Sequence, residues 1–292
     1  MTQATLAAAL RFEGIGLHTG EHAVVDVAPA QADSGIVFVL ESSRGSGAVV
    51  VPATADNVVD TSRATVLGRS GVSVSTTEHL LSALFGMGVT NAEIRVAGPE
   101  IPVGDGSAKG FADAIAAAGI VPQNRPRATI ALDEPFVVAV ADRMVAVFPA
   151  PAFRVRFVAD FPPPIGTQYF NAEIEPSVYR REIAGARTFG YLHEVEALRA
   201  RGLALGGSLE NALVFAPDGP MQPLRWSNEV VRHKVLDLIG DFALLGAWPQ
   251  CEVVAIKSGH ELHALATREL RARQHVPSSA SAPHTEGMMW QH

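Results

Sequence analysis

Cysteine is nearly absent from the chain of 292 residues. Cys251 stands alone, so no intrachain disulfide can form, and a reducing cytoplasm is the expected compartment. Long apolar runs are missing too. None approaches the ~18 residues a membrane-spanning helix needs, so a lipid would have to arrive as a ligand. The stretch from Met1 to Leu10 carries alanines with no basic segment ahead of them, unlike a secretory signal. Positive charge is in deficit: the net charge is −7 and the isoelectric point about 5.8, which argues against nucleic acid or an anionic membrane surface as partner. Lysine is the scarcest cation, with three residues against twenty arginines. What remains is a 48% apolar, 18% charged composition, sufficient for a sizeable core and unlike that of a disordered chain.

The length is about twice the ~150 residues of an average domain. The Pro- and polar-rich run Val121-Pro-Gln-Asn-Arg-Pro-Arg127 predicts a boundary, giving domains at 1–124 and 125–276 and a tail at 277–292. In the first half, His22 to Val27, Gly35 to Leu40, Ala64 to Leu67 and Val72 to Val74 read as strands. Ser75 and Glu78 have capping-box spacing ahead of a helix whose apolar face is Leu80, Leu81, Leu84 and Phe85. A strand at Ala92 to Val96, a loop around Gly104 to Ser107 and a helix from Gly110 to Ala118 follow. The second half repeats this order: a helix from Glu229 to Leu245, a strand from Glu252 to Ile256, a loop Ser258-Gly259-His260, and a helix ending near Arg273. Such repetition predicts an internal duplication. Neither copy shows strict βαβ alternation. The expected class is therefore α+β: two similar domains, each a layer of helices on a mainly antiparallel sheet, with the site between them.

His233, Asp237 and Asp241 are spaced by four along one stripe of an otherwise apolar helix. A carboxylate buried there is costly unless paired, hydrogen-bonded or bound to a cation. His-x-x-x-Asp can chelate one ion from a single helix, and serves equally well as a surface ion pair. Glu78 alone reads as a helix cap, but His79 beside it has no capping role. If His79 joins His233 and Asp237, the result is an N,N,O site with a position left for water, as in hydrolytic zinc centres, and Glu78 is placed to take that water's proton. His260 follows a strand in a loop. Lys234 and Lys257, two of the three lysines, flank these residues and read as anion contacts. The glycine runs Gly14 to Gly20 and Gly202 to Ser208 match neither a dinucleotide fingerprint nor a P-loop.

Taken together, Gly14-Ile-Gly-Leu-His-Thr-Gly20, Thr76-Thr-Glu-His-Leu80, Pro102-Val-Gly-Asp-Gly-Ser-Ala108, Ala186-Arg-Thr-Phe-Gly190, Gly202-Leu-Ala-Leu-Gly-Gly-Ser208, Val231-Arg-His-Lys234 and Lys257-Ser-Gly-His260 resemble the UDP-3-O-acyl-N-acetylglucosamine deacetylase family, in order and spacing, from about residue 3 to 270. The resemblance implies a cytoplasmic, monomeric zinc amidase, with Fe2+ as the alternative ion, that removes the acetyl group from an acylated UDP-sugar in the committed step toward lipid A. It further implies His79, His233 and Asp237 as metal ligands and Glu78 as general base. His260 becomes the cationic acid oriented by Asp241, Thr188 an oxyanion donor and Lys234 a substrate-binding cation. Residues Phe189 to Leu213 become an apolar passage for the acyl chain, with Phe189, Leu192, Leu203 and Lys257 touching substrate. The chain departs from the family pattern at Asn228 to Val230, Gly185, Gly110 and Ser62 to Ala64, none of them a ligand or the base. Two other readings fit the same residues: a zinc amidase for a different acylated sugar, and a sugar-nucleotide-binding paralogue without catalysis.

Overall fold

The computed structural model describes residues 1–41 and 47–273. The tail expected at 277–292 lies outside them. Alternation of buried and solvent-facing positions along His22–Pro29 and Trp248–Ile256 marks strands with one face on the core. Each belongs to a larger sheet. In the first half the strand order is Leu10–Ile15, His22–Pro29, Ala92–Ala97, Ile36–Glu41, Ala48–Pro52; in the second it is Phe136–Val140, Arg143–Pro149, Trp248–Ile256, Arg154–Phe161, Gly166–Glu173. Along these two five-strand orders every pairing is antiparallel except one in each. Ala92–Ala97 runs parallel to Ile36–Glu41, and Trp248–Ile256 parallel to Arg154–Phe161. The same order with the same parallel exception is the signature of the expected duplication, and the chain has the α+β architecture. A short Thr129–Ala131 strand adds to the second sheet alongside Trp248–Ile256.

Between the sheets lie helices Glu78–Gly86 and Lys109–Ala118 from the first half and Glu229–Ala243 and His260–Arg273 from the second. The Glu78–Gly86 and Glu229–Ala243 helices pack on each other across the junction, and their side chains join one continuous core with both sheets. Leu80, Leu81 and Leu84 are fully buried there, each contributing about 1.5–3 kcal/mol of apolar transfer. Close approach of the two helices depends on Gly240, because a Cβ there would collide with the backbone carbonyl of Glu78. The crossing point thus sits at the first residue of one helix and one turn below Asp237 on the other.

Smaller sheets occupy matching places in the two halves. Val58–Asp60, Val66–Arg69 and Val72–Val74 form the first; Phe189–Tyr191, Leu213–Ala216 and Gly219–Pro220 form the second. The second encloses an insert with a helix, Leu192–Ala200, that buries none of its side chains.

The proline-containing run at Val121 to Arg127 is structured: Ile120–Pro126 is a strand paired antiparallel with Thr2–Leu6, where prolines are tolerated because only one side needs backbone donors. Two local expectations are corrected. Ser75 and Glu78 do not form a capping box. Thr76 takes a left-handed conformation, φ 57°, the helix begins at Glu78 behind Thr77, and Ser75 pairs instead with the segment at Glu100. His260 is not a loop residue but the first residue of its helix.

Candidate active site

The helix-crossing point gathers the charged side chains. Thr77 anchors the start of the Glu78–Gly86 helix by donating from its hydroxyl to the Thr65 carbonyl at 2.9 Å. In return the Thr65 amide donates to Glu78 Oε2 at 3.0 Å. The chain just before Thr77 is held by Glu100, fully buried, whose carboxylate accepts from the Thr76 hydroxyl and from the amides of His18 and Thr19. The Gly14 to Gly20 motif therefore folds over a buried carboxylate that also braces the residues leading to Glu78.

His79, His233 and Asp237 converge, with one potential ligand atom from each lying within 4.8 Å of the others. Asp237 Oδ1 is 3.4 Å from His233 Nε2 and 3.7 Å from His79 Nε2. These gaps are too long for hydrogen bonds and suit a shared cation about 2.0–2.2 Å from each donor. The donor set is prepared for that. The Ala186 carbonyl accepts a hydrogen bond from His233 Nδ1–H at 3.1 Å, leaving the Nε2 lone pair free. Lys234 Nζ donates to Asp237 Oδ2 at 2.7 Å, leaving Oδ1 for an ion. Burial, aided by the neighbouring imidazole, lowers His79 to about 3, and burial also lowers His233, so both rings are neutral. Burial alone would raise Asp237, but His233, Lys234, His260 and His79 together outweigh it and hold the carboxyl well below its usual range. Two neutral imidazoles and an ionised carboxylate, all buried, form a site able to hold a divalent metal.

A second triad adjoins it. Asp241 Oδ2 accepts from His260 Nδ1 at 2.8 Å and from His263 Nδ1 at 2.7 Å, while Thr65 donates to Oδ1. His263 is completely buried and its pKa is lowered chiefly by that burial, so it is neutral and its Nε2 accepts from the Ser258 hydroxyl at 2.9 Å. This group could also ligate a cation, but protons already join its members at hydrogen-bond distance, as in a relay. Burial opposes a charge on His260, yet Asp241, Glu78 and Asp237 outweigh it and raise its pKa to about 9. Asp241 is desolvated as well, and the two histidines hold it near 2. His260 Nε2 in turn stands 3.9 Å from Glu78 Oε1. Glu78 itself is raised to about 7, mainly by desolvation and further by Asp237 and Asp241, against the opposing pull of His260. A carboxylate that exchanges its proton near neutrality and a cationic imidazole thus share one buried space.

The run Ala186 to Phe189 lies against the second helix. Arg187 forms a forked ion pair with fully buried Glu229, at 2.8 Å through Nε. Thr188 is fixed through its backbone, donating to the Gly106 carbonyl at 2.7 Å and accepting from Leu213 at 2.8 Å. Gly106, with φ 85°, leaves room where a side chain would strike the Asn211 carbonyl. The Phe189 ring meets His233 edge to face at 6.1 Å. Leu192 begins the exposed insert helix. Leu203 shares a cavity of about 500 Å³ with His18, Arg63 and Ser75. Lys257 stands apart from the cluster: its ammonium pairs with Asp142 at 3.1 Å and Asp160 at 2.8 Å, both on the surface.

Three residues of the site escaped the sequence reading. Thr65 and His263 are distant in sequence from what they hold, although His263, three residues after His260 on a helix, shares its face and could have been found by that spacing. His18 lay within a motif already singled out. Its Nδ1 is buried with no protein partner among the described residues, and burial lowers its pKa.

A sequence model of a protein family, described as UDP-3-O-acyl N-acetylglycosamine deacetylase, matches residues 3–272. Proteins named UDP-3-O-acyl-N-acetylglucosamine deacetylase are similar along nearly their whole lengths. The one from Syntrophotalea carbinolica is 42% identical over 289 residues, 97% of this chain and 93% of its own. That from Thermosynechococcus vestitus is 43% identical over 277 residues, 94% of this chain and 95% of its own. That from a Nostoc species is 44% identical over 270 residues, 90% of this chain and 96% of its own.

Proposed function

The chain belongs to the UDP-3-O-acyl N-acetylglycosamine deacetylase family, and from that membership we propose that it is a zinc-dependent amidase that removes the N-acetyl group of UDP-3-O-acyl-N-acetylglucosamine. The reaction is the committed step of lipid A formation, carried out in the cytoplasm by a monomer. The observation that carries this reading is the buried N,N,O donor set of His79, His233 and Asp237 with Glu78 and His260 beside it.

Those three side chains would hold the zinc, or Fe2+ in its place, and the ion would supply Lewis acidity toward the acetyl carbonyl and lower the pKa of an attacking water. Glu78, ionised in substantial fraction at neutral pH, accepts the proton of the attacking water. As charge builds on the former carbonyl oxygen, cationic His260 and the Thr188 hydroxyl stabilise it more than they stabilise the neutral amide, which lowers the barrier. The departing nitrogen needs a proton, because an amide anion is a poor leaving group. His260 carries one at Nε2, and Asp241 and Thr65 keep the ring oriented through the other edge. Lys234 restrains Asp237 and offers positive charge toward the sugar nucleotide. Phe189, Leu192 and Leu203 would supply apolar surface for the acyl chain, whereas Lys257, already paired with Asp142 and Asp160, takes no part in the proposed site. No helix among the described residues is long and apolar enough to cross a membrane.

The test combines elemental analysis with mass-spectrometric detection of acetate release from the acylated UDP-sugar. One zinc per chain with release that stops on chelation and returns with Zn2+ is the expected result. Stoichiometric metal without deacetylation would sink the assignment.

A further inference from the structure

Away from the catalytic cluster, a cleft of about 290 Å³ opens between the two halves of the molecule. None of the metal-site or acid–base residues lines it. Its walls come from both halves, with Asn91 and Phe85 on one side and Arg127 and Trp248 on the other.

Arg127 is the unusual member. Its guanidinium carbon lies 4.1 Å from the centroid of the Trp248 indole and 5.8 Å from that of Phe85. Among the described residues its side chain has neither a carboxylate partner nor a hydrogen-bond acceptor, although it is mostly buried. Burial with no compensating acid lowers its pKa to about 10. The aromatic faces attract a cation, but they leave the in-plane N–H donors of the fork unused.

The other polar groups of the wall are already satisfied by one another. Asn91 donates to Gln3 at 2.9 Å and to Gln123 at 2.7 Å, and accepts from the Gly35 amide at 2.8 Å. Asp33 accepts from Gln3 at 2.6 Å and pairs with Arg125 at 3.3 Å. Arg127 is therefore the group with donors to spare. Its place is fixed by the backbone: its amide donates to the Met1 carbonyl at 3.1 Å, and the Ala128 carbonyl accepts from Trp248 at 2.9 Å. The backbone thus sets the guanidinium beside the indole without any ligand, and such preorganisation favours affinity.

We propose that this cleft is a binding site for a small oxyanion, a carboxylate or a phosphate, gripped by the Arg127 fork beside the Trp248 indole. A planar guanidinium recognises either head group through two parallel N–H donors. Because both halves contribute walls, an occupant ties them together at a second point remote from the chemistry.

The chain holds three tryptophans, so replacing Trp226 and Trp290 by Phe leaves Trp248 as the reporter. Inorganic phosphate and citrate are titrated separately at constant ionic strength, with chloride as the balancing ion. The expected result is a saturable change in Trp248 emission with at least one of the two, weakened about tenfold or more in Arg127→Gln and also in Arg127→Lys, which keeps the charge but loses the fork. Response to phosphate alone assigns a phosphate ligand; response to citrate alone assigns a carboxylate. Deacetylation by Arg127→Gln should stay close to that of the unaltered chain, separating this site from the catalytic one. The proposal is overturned if neither anion gives a saturable response in the chain with Arg127 intact, an outcome independent of how the variants fold. It is equally overturned if Arg127→Lys responds as strongly as the parent.

Discussion

His260 Nε2 and Glu78 Oε1 face each other at 3.9 Å, close enough for each to set the other's charge. His260 holds a proton to about pH 9 and Glu78 releases one near 7. Between those values His260 is charged and Glu78 is ionised.

A bell-shaped pH profile of kcat/KM follows. Activity rises as Glu78 loses its proton and falls as His260 loses its own, with limbs near 7 and 9 that a bound divalent cation moves downward. Asp241→Asn removes the carboxylate that raises His260, so its alkaline limb should lie at lower pH than that of the parent. An unmoved limb in that variant would show that His260 does not govern it.

Glu78→Gln keeps nearly the same volume and removes the carboxylate proposed as proton acceptor. Metal content should remain at one per chain while kcat drops by about 10²–10⁴, the usual worth of general base catalysis. Near-full turnover with normal metal content would refute the base assignment.

His263→Leu leaves the shape of the core roughly intact but deprives Asp241 and Ser258 of a partner. Stability should fall by about 1–3 kcal/mol for the unsatisfied buried groups, as read from denaturant unfolding. Asp241, sharing its charge with one fewer donor, should hold the proton on His260 more firmly. The alkaline limb then moves up while KM changes little. A loss of stability with an unchanged pH profile would make His263 a packing residue only.

Gly240→Ala places a methyl against the Glu78 carbonyl. Helix propensity alone would favour Ala by about 1 kcal/mol, but overpacking a tight contact costs about 1–3 kcal/mol, and the backbone shift displaces Glu78. Unfolding at lower denaturant together with reduced kcat is expected. A more stable, fully active variant would mean that the two helices do not need this close approach.

Much of the site was legible because its residues sit in helices. Spacing by four put His233, Asp237 and Asp241 on one stripe, and the apolar circumference around them announced burial. The duplicated order of helix, strand and helix was readable for the same reason, since periodicity survives in each element. What could not be read depended on chain reversals. The left-handed turn at Thr76 moves the helix start past the apparent capping box, and nothing in Ser75-Thr-Thr-Glu78 signals it. Lys257 adjoins the His260 motif in sequence, yet its own left-handed turn, φ 51°, accompanies an ammonium paired with Asp142 and Asp160. Thr65 reaches Asp241 across 176 positions, a contact that local pattern cannot foretell.

The insert beyond Phe189 is fastened at its far end. Leu205 and Gly206 donate their amides to the carbonyls of His18 and Leu17 in the opposite half, and a side chain at Gly206 would strike the Gly16 carbonyl. A segment pinned at both ends is a bridge and not a flap. If this insert lines the acyl chain as proposed, fatty tails of different length would be sorted by the bulk of the residues along its span, so changing which tail is preferred calls for exchanging side chains such as Leu203, with the anchoring bonds at Leu205 and Gly206 left untouched.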